Sequence, residues 1–377
     1  MRKIKVMSVF GTRPEAIKMC PLIRKMQEHE EIESIVCLTG QHREMLQQVI
    51  DIFRTEVDYN LEIMKPSQTL TSITTDILTL IKPVLEKEKP DIVLVHGDTT
   101  TSFAVALAAF YQQIPVGHVE AGLRTYDKYA PYPEEMNRTL TSRIAELHFA
   151  PTASNEESLR RENICRNVFV TGNTIIDALQ TTIREGYRYK NEELARIMEN
   201  MGRKLVLVTA HRRENLGQPL QDICNAIREV VATHPDIEVI YPVHLNPLVY
   251  NTAHELLGKE ERVHLIDPVD VEDMHNLMSR SYLVMTDSGG LQEEAPSCGV
   301  PVVVLRDKTE RQEAVDAGTV VLAGTRKDDV VRWTSLLLED QEQYQKMSRA
   351  INPYGDGHAS ERIIEGILGH FGKSEGI

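Results

Sequence analysis

Ser281-Tyr282-Leu283-Val284-Met285-Thr286-Asp287-Ser288-Gly289-Gly290-Leu291-Gln292-Glu293-Glu294-Ala295-Pro296 reads as a strand, a turn and a helix start in one run. The apolar residues 281–286, bounded by turn formers, fit a buried strand. Ser288, Gly289 and Gly290 therefore sit where a strand end becomes a helix N-terminus. Unpaired backbone N–H groups and the positive end of the helix dipole collect there. Two glycines let a bulky anion approach the backbone closely. Glu294 comes about one turn into the helix, placed to bond a ribose hydroxyl beside the phosphates. The competing reading is an ordinary βα turn with glycines selected for φ alone. A Ser-Gly-Gly by itself does not decide between the two.

Working outward, short β-branched runs alternate with longer amphipathic segments. Residues 3–9, 32–38, 91–96, 115–119 and 146–150 read as strands. Residues 14–27, 43–53, 69–87, 99–112 and 133–144 read as helices. A second set has strands at 204–209, 238–242, 263–266, 282–286, 300–305 and 319–321. Its helices fall at 219–233, 246–257, 270–280, 292–298 and 327–340, with a charged helix at 191–203 leading in. Such alternation means βαβ units and a parallel sheet. The fold expected is therefore α/β, with two Rossmann-like, doubly wound domains facing a cleft. Residues 1–170 would form the first domain and 171–358 the second, with a hinge near Val170-Thr171-Gly172-Asn173. After the Asn352–Gly357 turn, the last helix, within 359–377, would cross back to the first domain.

The chain has 377 residues, ample for two cores. A formal charge of −14 argues against nucleic acid or an anionic membrane surface as the main partner. No stretch approaches the ~20 apolar residues of a membrane span. The run before Gly11 reads as a first strand rather than a signal segment. Cys20, Cys37, Cys165, Cys224 and Cys298 lack CxxC spacing and read as reduced residues of a cytoplasmic protein. Nothing in the spacing signals a metal site.

Doubly wound sheets bind ligands beyond the carboxyl ends of their strands. The segments just after the expected strands are therefore informative: Gly11–Lys18, Gly97–Thr101, Glu120–Thr125, His211–Asn215, His244–Pro247, the Ser-Gly-Gly turn and Arg306–Arg311. Polar and ionisable groups crowd one edge of both sheets. Arg13, Lys18, Arg212, Arg311, His211 and His244 supply cations, and arginine forks suit phosphate oxygens. With Gly289 and Gly290 they make a diphosphate clamp. There is no G-x-G-x-x-G and no G-x-x-x-x-G-K-[ST], so neither a nicotinamide dinucleotide nor an ATP-hydrolysing loop is signalled. Asp98, Glu120 and Glu134, with Glu135 beside it, supply carboxylates. Acids near a diphosphate repel it unless they have chemistry to do, and proton transfer at a sugar carbon is one such task. Glu134 and Glu135 also make a good helix start after Pro133, and Asp98 is a plausible helix cap. The residues lead to an enzyme acting on a nucleotide sugar or sugar diphosphate. They leave its reaction open.

Seven ordered motifs then resemble a known family: 11–18 (GTRPEAIK), 96–101 (HGDTTT), 119–124 (VEAGLR), 133–138 (PEEMNR), 210–215 (AHRREN), 287–294 (DSGGLQEE) and 352–357 (NPYGDG). Together they are similar to the bacterial non-hydrolysing UDP-N-acetylglucosamine 2-epimerases. The resemblance implies a GT-B type fold, interconversion of UDP-GlcNAc and UDP-ManNAc, no cofactor and a homodimer, with the product feeding cell-wall or capsule synthesis. It implies that Asp98, Glu120 and Glu134 are the catalytic carboxylates. Arg138 and His211 would be their cationic associates, His211 at the leaving phosphate. Arg13, Lys18, Ser288, Gly289, Gly290, Glu294 and Arg311 would hold UDP. Either Glu120 or Asp98 would take the proton at C2, with Glu134 contributing on domain closure.

Two departures touch the base pocket: Met274 stands where the family often has an aromatic, and Gln312 where a proline comes after Arg311. Many members also bind a second UDP-GlcNAc as an activator. Gln41, Glu134, Arg212 and His244 match that site, whereas Glu44 and Ser67 replace an expected Gln and Arg. One cation fewer and one anion more weaken the hold on an anionic ligand, so activation is expected to be weak or absent.

Overall fold

A computed structural model describes residues 2–40, 43–65 and 68–372, without the side chains of 43–45. The chain divides into two compact units, Met1–Thr181 with Tyr354–Ile377, and Thr182–Pro353.

The first unit runs β1 (Ile4–Phe10), α1 (Arg13–Gln27), β2 (Ile32–Leu38), α2 (Arg43–Phe53), β3 (Tyr59–Asn60), α3 (Leu70–Glu88), β4 (Ile92–His96) and α4 (Thr100–Tyr111). It continues with β5 (Val116–Val119), α5 (Glu134–Ile144), β6 (Leu147–Ala150), α6 (Ala153–Arg161), β7 (Val168–Val170) and α7 (Thr174–Thr182). Its seven strands are ordered β3-β2-β1-β4-β5-β6-β7, all parallel. The order reverses between β1 and β4, which is where such a sheet opens for a ligand. Strands covered on both faces read as nearly continuous apolar runs, and every residue of β4 is buried, its closing His96 included. Against them pack Ile77, Ile81 and Leu85 of α3 and Val105 and Ala109 of α4.

The second unit holds α8 (Glu192–Glu199), β8 (Lys204–Thr209), α9 (Gln218–Thr233), β9 (Ile237–Pro242), α10 (Pro247–Leu257), β10 (Val263–Ile266), α11 (Val271–Ser279) and β11 (Leu283–Thr286). After these come α12 (Gly289–Glu294), β12 (Val302–Val304), α13 (Gln312–Asp316), β13 (Val320–Leu322), α14 (Lys327–Glu339) and α15 (Gln341–Ser348). The strand order is β10-β9-β8-β11-β12-β13, again all parallel, with its reversal between β8 and β11. Val206, Val208, Tyr241 and Met285 of the sheet meet Ile223, Ile227 and Val230 of α9.

The last helix, α16 (Ala359–Gly372), belongs to the first unit. Gly366 has to be glycine-sized: a Cβ there would lie 2.9 Å from the Phe149 ring, which stacks on Phe169 at 5.7 Å. Lys25 of α1 pairs with Glu361 at 3.0 Å. Among the described residues no helix is long and apolar enough to cross a membrane, and no cluster of His, Cys, Asp and Glu could hold a metal ion. The two doubly wound α/β domains expected from the strand–helix alternation are the ones observed.

Candidate active site

The edge of the first sheet is organised by Glu15. Thr12 caps α1, and Glu15 completes a capping box with it. The buried Glu15 carboxylate accepts from Gly11 N (3.0 Å), Thr12 N (2.8 Å) and the Thr99 hydroxyl (2.7 Å). Burial raises its pKa, against the pull of these donors. The loops after β1 and β4 are thereby tied together at the reversal point.

Glu120, just beyond β5, has φ of 62°, a region that side-chain-bearing residues rarely enter and that costs on the order of 1–3 kcal/mol. The strain aims the carboxylate. Its Oε2 forms a short ion pair with Lys18 Nζ, accepts from Asn173 Nδ2 at 2.9 Å and lies 3.7 Å from His96 Nε2. Asp98 forms a short ion pair with Arg138, a guanidinium only 5% exposed. The Asp98 carbonyl accepts from Asn137 Nδ2 at 3.0 Å. Asp98 is not the cap of α4. Thr99 is, its hydroxyl accepting from Ser102 N at 3.0 Å.

Glu134 begins α5, half-buried, and its carboxylate has no hydrogen bond or ion pair among the described residues. Its neighbour Glu135 is buried and structural: it accepts from Thr125 N (3.0 Å) and Tyr126 N (2.9 Å) and faces Arg138 at 3.4 Å. Arg13, half-buried in the first turn of α1, likewise has no partner among the described residues.

In the second unit the loops after β8 and β11 are tied by Asp287, which is fully buried. Its Oδ2 accepts from His211 N (2.8 Å), Arg212 N (2.8 Å) and Asn215 Nδ2 (3.0 Å). This fixes the backbone beneath the His211 ring, which stacks on His244 with centroids 5.1 Å apart. Burial lowers the His211 pKa. Asp287 opposes the shift, and His244 and Arg212 add to it.

Ser288, Gly289 and Gly290 form the turn into α12. A Cβ on Gly289 would sit 3.1 Å from the Arg311 guanidinium carbon, and one on Gly290 would sit 2.9 Å from Glu294 Oε1. The glycines thus bring Arg311 and Glu294 against the turn backbone. Arg311 is held by Glu293 (2.8 Å) and Glu310 (2.9 Å), and Glu294 lies 3.4 Å from His275. Glu310 also takes Arg306 (2.7 Å) and Arg212 (3.3 Å). Burial would raise its pKa, but Arg311, its own backbone N–H, Arg306 and Arg212 outweigh burial and bring it down to about 2. Gln41 and Ser67 of the expected activator site lie outside the described residues, as does the side chain of Glu44.

A family model described as UDP-N-acetylglucosamine 2-epimerase matches residues 24–368. The chain belongs to the UDP-N-acetylglucosamine 2-epimerase family. The epimerase of Bacillus subtilis is 54% identical over 374 residues, covering 99% of this chain and 97% of its own. A crystal structure of a UDP-N-acetylglucosamine 2-epimerase matches with a TM-score of 0.91 at 52% identity, covering 99% of this chain and 97% of that one. The Neisseria meningitidis enzyme, solved bound to UDP-GlcNAc, matches with a TM-score of 0.86 at 50% identity, covering 97% of this chain and 100% of that one.

Within this epimerase fold, Asp98, Arg138, Glu120 and Lys18 gather at the edge of the first sheet. His211, Ser288, Gly289, Gly290, Glu294 and Arg311 gather at the edge of the second. Lys18, expected on UDP, has its ammonium on Glu120. Sequence reasoning misses Asn173, which it places in a hinge, as well as His96 and His275. Each lies near an expected site carboxylate: Asn173 and His96 at Glu120, His275 at Glu294. A signal for His96 exists, because it opens the motif that contains Asp98. His275 has none beyond its place beside Met274.

Proposed function

We propose that the protein interconverts UDP-N-acetylglucosamine and UDP-N-acetylmannosamine without hydrolysis, by eliminating UDP and adding it back. The C2 proton is not beside a carbonyl, so its direct removal and return is too difficult. Removal concerted with departure of UDP puts the C2–H electron pair into a C1–C2 double bond and gives 2-acetamidoglucal. UDP then re-adds at C1 while C2 takes a proton on its other face. Neither step changes the overall oxidation state, so the reaction calls for no redox cofactor.

The observation that carries this reading is the pair of carboxylates, Asp98 on Arg138 and Glu120 on Lys18, at one sheet edge. A fixed cationic partner aims each carboxylate for proton transfer. Glu120 is assigned as the base at C2, and Glu134 adds a third carboxylate. His211 sits at the leaving phosphate, where an arriving diphosphate favours the imidazolium that burial disfavours. Arg13, Ser288, Gly289, Gly290, Glu294 and Arg311 hold UDP, Glu294 at the ribose, while Lys18 stays with Glu120. A cytoplasmic homodimer is part of the same reading.

Proton NMR of the purified protein with UDP-GlcNAc in D2O tests it. A UDP-ManNAc anomeric signal with deuterium at C2 is expected. Free ManNAc and UDP would instead identify a hydrolysing enzyme. Binding without turnover would overturn the reading.

A further inference from the structure

His96, the last residue of β4, is 4% exposed, and its Nε2 has no hydrogen-bond partner among the described residues. A buried polar atom left unpaired loses its hydration without replacement, and such exceptions in a folded protein call for a reason. The reason here lies 3.7 Å away, at Glu120 Oε2. Two other groups touch the same oxygen, Lys18 Nζ and Asn173 Nδ2. An ammonium has only donors. The Asn173 amide is oriented by Ile175 N, which donates to its Oδ1 at 3.2 Å, so Nδ2 is the atom turned to Glu120. Two donors suit a carboxylate. They do not suit the carboxylic acid that Glu120 becomes on accepting a proton, because its new O–H needs an acceptor. Of these three groups at Oε2, only an imidazole with a lone pair on Nε2 supplies one.

We propose that His96 is a positioning residue and second proton site for the epimerisation, its Nε2 taking up the proton that Glu120 removes from C2. The proposal rests on the assignment of Glu120 as the base. The C2–H bond breaks and its electron pair enters the C1–C2 double bond. The C1–O bond breaks with its pair leaving on UDP, and the proton forms an O–H bond on Glu120. That O–H then breaks towards His96 Nε2, giving an imidazolium and restoring the carboxylate to Lys18. The gap of 3.7 Å is longer than a hydrogen bond, as catalytic contacts often are before substrate binds. Burial pushes the His96 pKa down to about 4, with Glu120 and Asp98 raising it and Lys18 lowering it. The ring is therefore neutral at neutral pH. The His96 side chain is less exposed than that of Glu120, 5% against 15%, so a proton moved to the imidazole exchanges with solvent less readily than one kept on Glu120.

The test compares wild type with His96→Gln, whose amide reaches the Nε2 position and accepts a hydrogen bond but cannot take a proton. In D2O two rates are read: epimerisation, and deuterium entry at C2 of recovered UDP-GlcNAc. Expected for His96→Gln are a kcat lower by about 10²-fold, unchanged UDP affinity by calorimetry, and a several-fold rise in deuterium entry relative to epimerisation. A role confined to packing would lower both rates together and leave their ratio at the wild-type value. His96→Asn is the second variant should the glutamine chain fold poorly, with the same rise expected. A wild-type ratio in either folded variant overturns the proposal. Glu120→Gln separates the two assignments. If it turns over near the wild-type rate, the base assignment fails and the relay with it. If it is inactive while His96→Gln keeps the wild-type ratio, only the relay fails.

Discussion

At the residue scale, the expected nucleotide clamp depends on how close two glycines let other groups come. The space a Gly290 Cβ would need is already held by Glu294 Oε1, 2.9 Å away. That carboxylate is the far end of a flexible side chain, so an alanine is accommodated by displacing Glu294 rather than by unfolding. Gly290→Ala is therefore expected to keep the wild-type Tm and to weaken UDP binding about tenfold, a loss of ~1.4 kcal/mol. Calorimetry with UDP checks this, and unchanged affinity would remove Glu294 from the ribose. The identities at this turn can be read in the sequence. That Gly289 stands against Arg311 cannot, because the two are brought together by β11 and β12 pairing side by side.

At the element scale, β4, β5 and β6 each carry a buried histidine: His96, His118 and His148. Burial is the leading cause that lowers all three, to about 4, about 3 and about 4. The unfolded chain holds these protons near the ordinary value of about 6.5. Between pH 6.5 and about 4 the native chain therefore binds fewer protons than the unfolded one. Stability is full above about 6.5 and falls as the pH drops through that window. His148 is the clearest probe, since its Nδ1 has no hydrogen-bond partner among the described residues. In His148→Leu the decline of unfolding free energy should be shallower by up to about 1.4 kcal/mol per pH unit. Denaturant titrations from about pH 6.5 to 4 check it, and a curve parallel to wild type would show that this ring is not held neutral. The long elements, such as β2 and α2, are legible with their observed bounds because their apolar periodicity is strong. The helix α6 is not. Only Asn155 and Leu159 of its nine residues are buried, so it carries no apolar stripe. Likewise β7 has three residues, and α7 begins directly after the stretch that the sequence marks as a hinge.

At the scale of the whole molecule, the activator expectation concerns how the enzyme answers its substrate. The family resemblance implies a second nucleotide-sugar site, and there Glu44 would add an anion and Ser67 would omit a cation. Rate against UDP-ManNAc concentration is expected to be hyperbolic without added UDP-GlcNAc. Sigmoidal curves relieved by traces of UDP-GlcNAc would contradict it.

The sequence by itself determined the two parallel sheets, because strand and helix periods alternate along the chain. It also determined which residues come after each strand, because loops at the carboxyl ends are adjacent to their strands in the chain. Tertiary structure alone decided what those residues do to one another. Asp98 lies 40 positions before Arg138 and Glu120 lies 53 before Asn173, and no local rule joins them. The 352–357 motif is the furthest case. Tyr354 O accepts from Asn173 N at 2.7 Å, and Gly355 has φ of 117° with Gly172 against it. A turn near the end of the chain thus holds the residue that holds Glu120. Contacts between distant segments are set by which strands pair and in what order, and periodicity carries no record of that order.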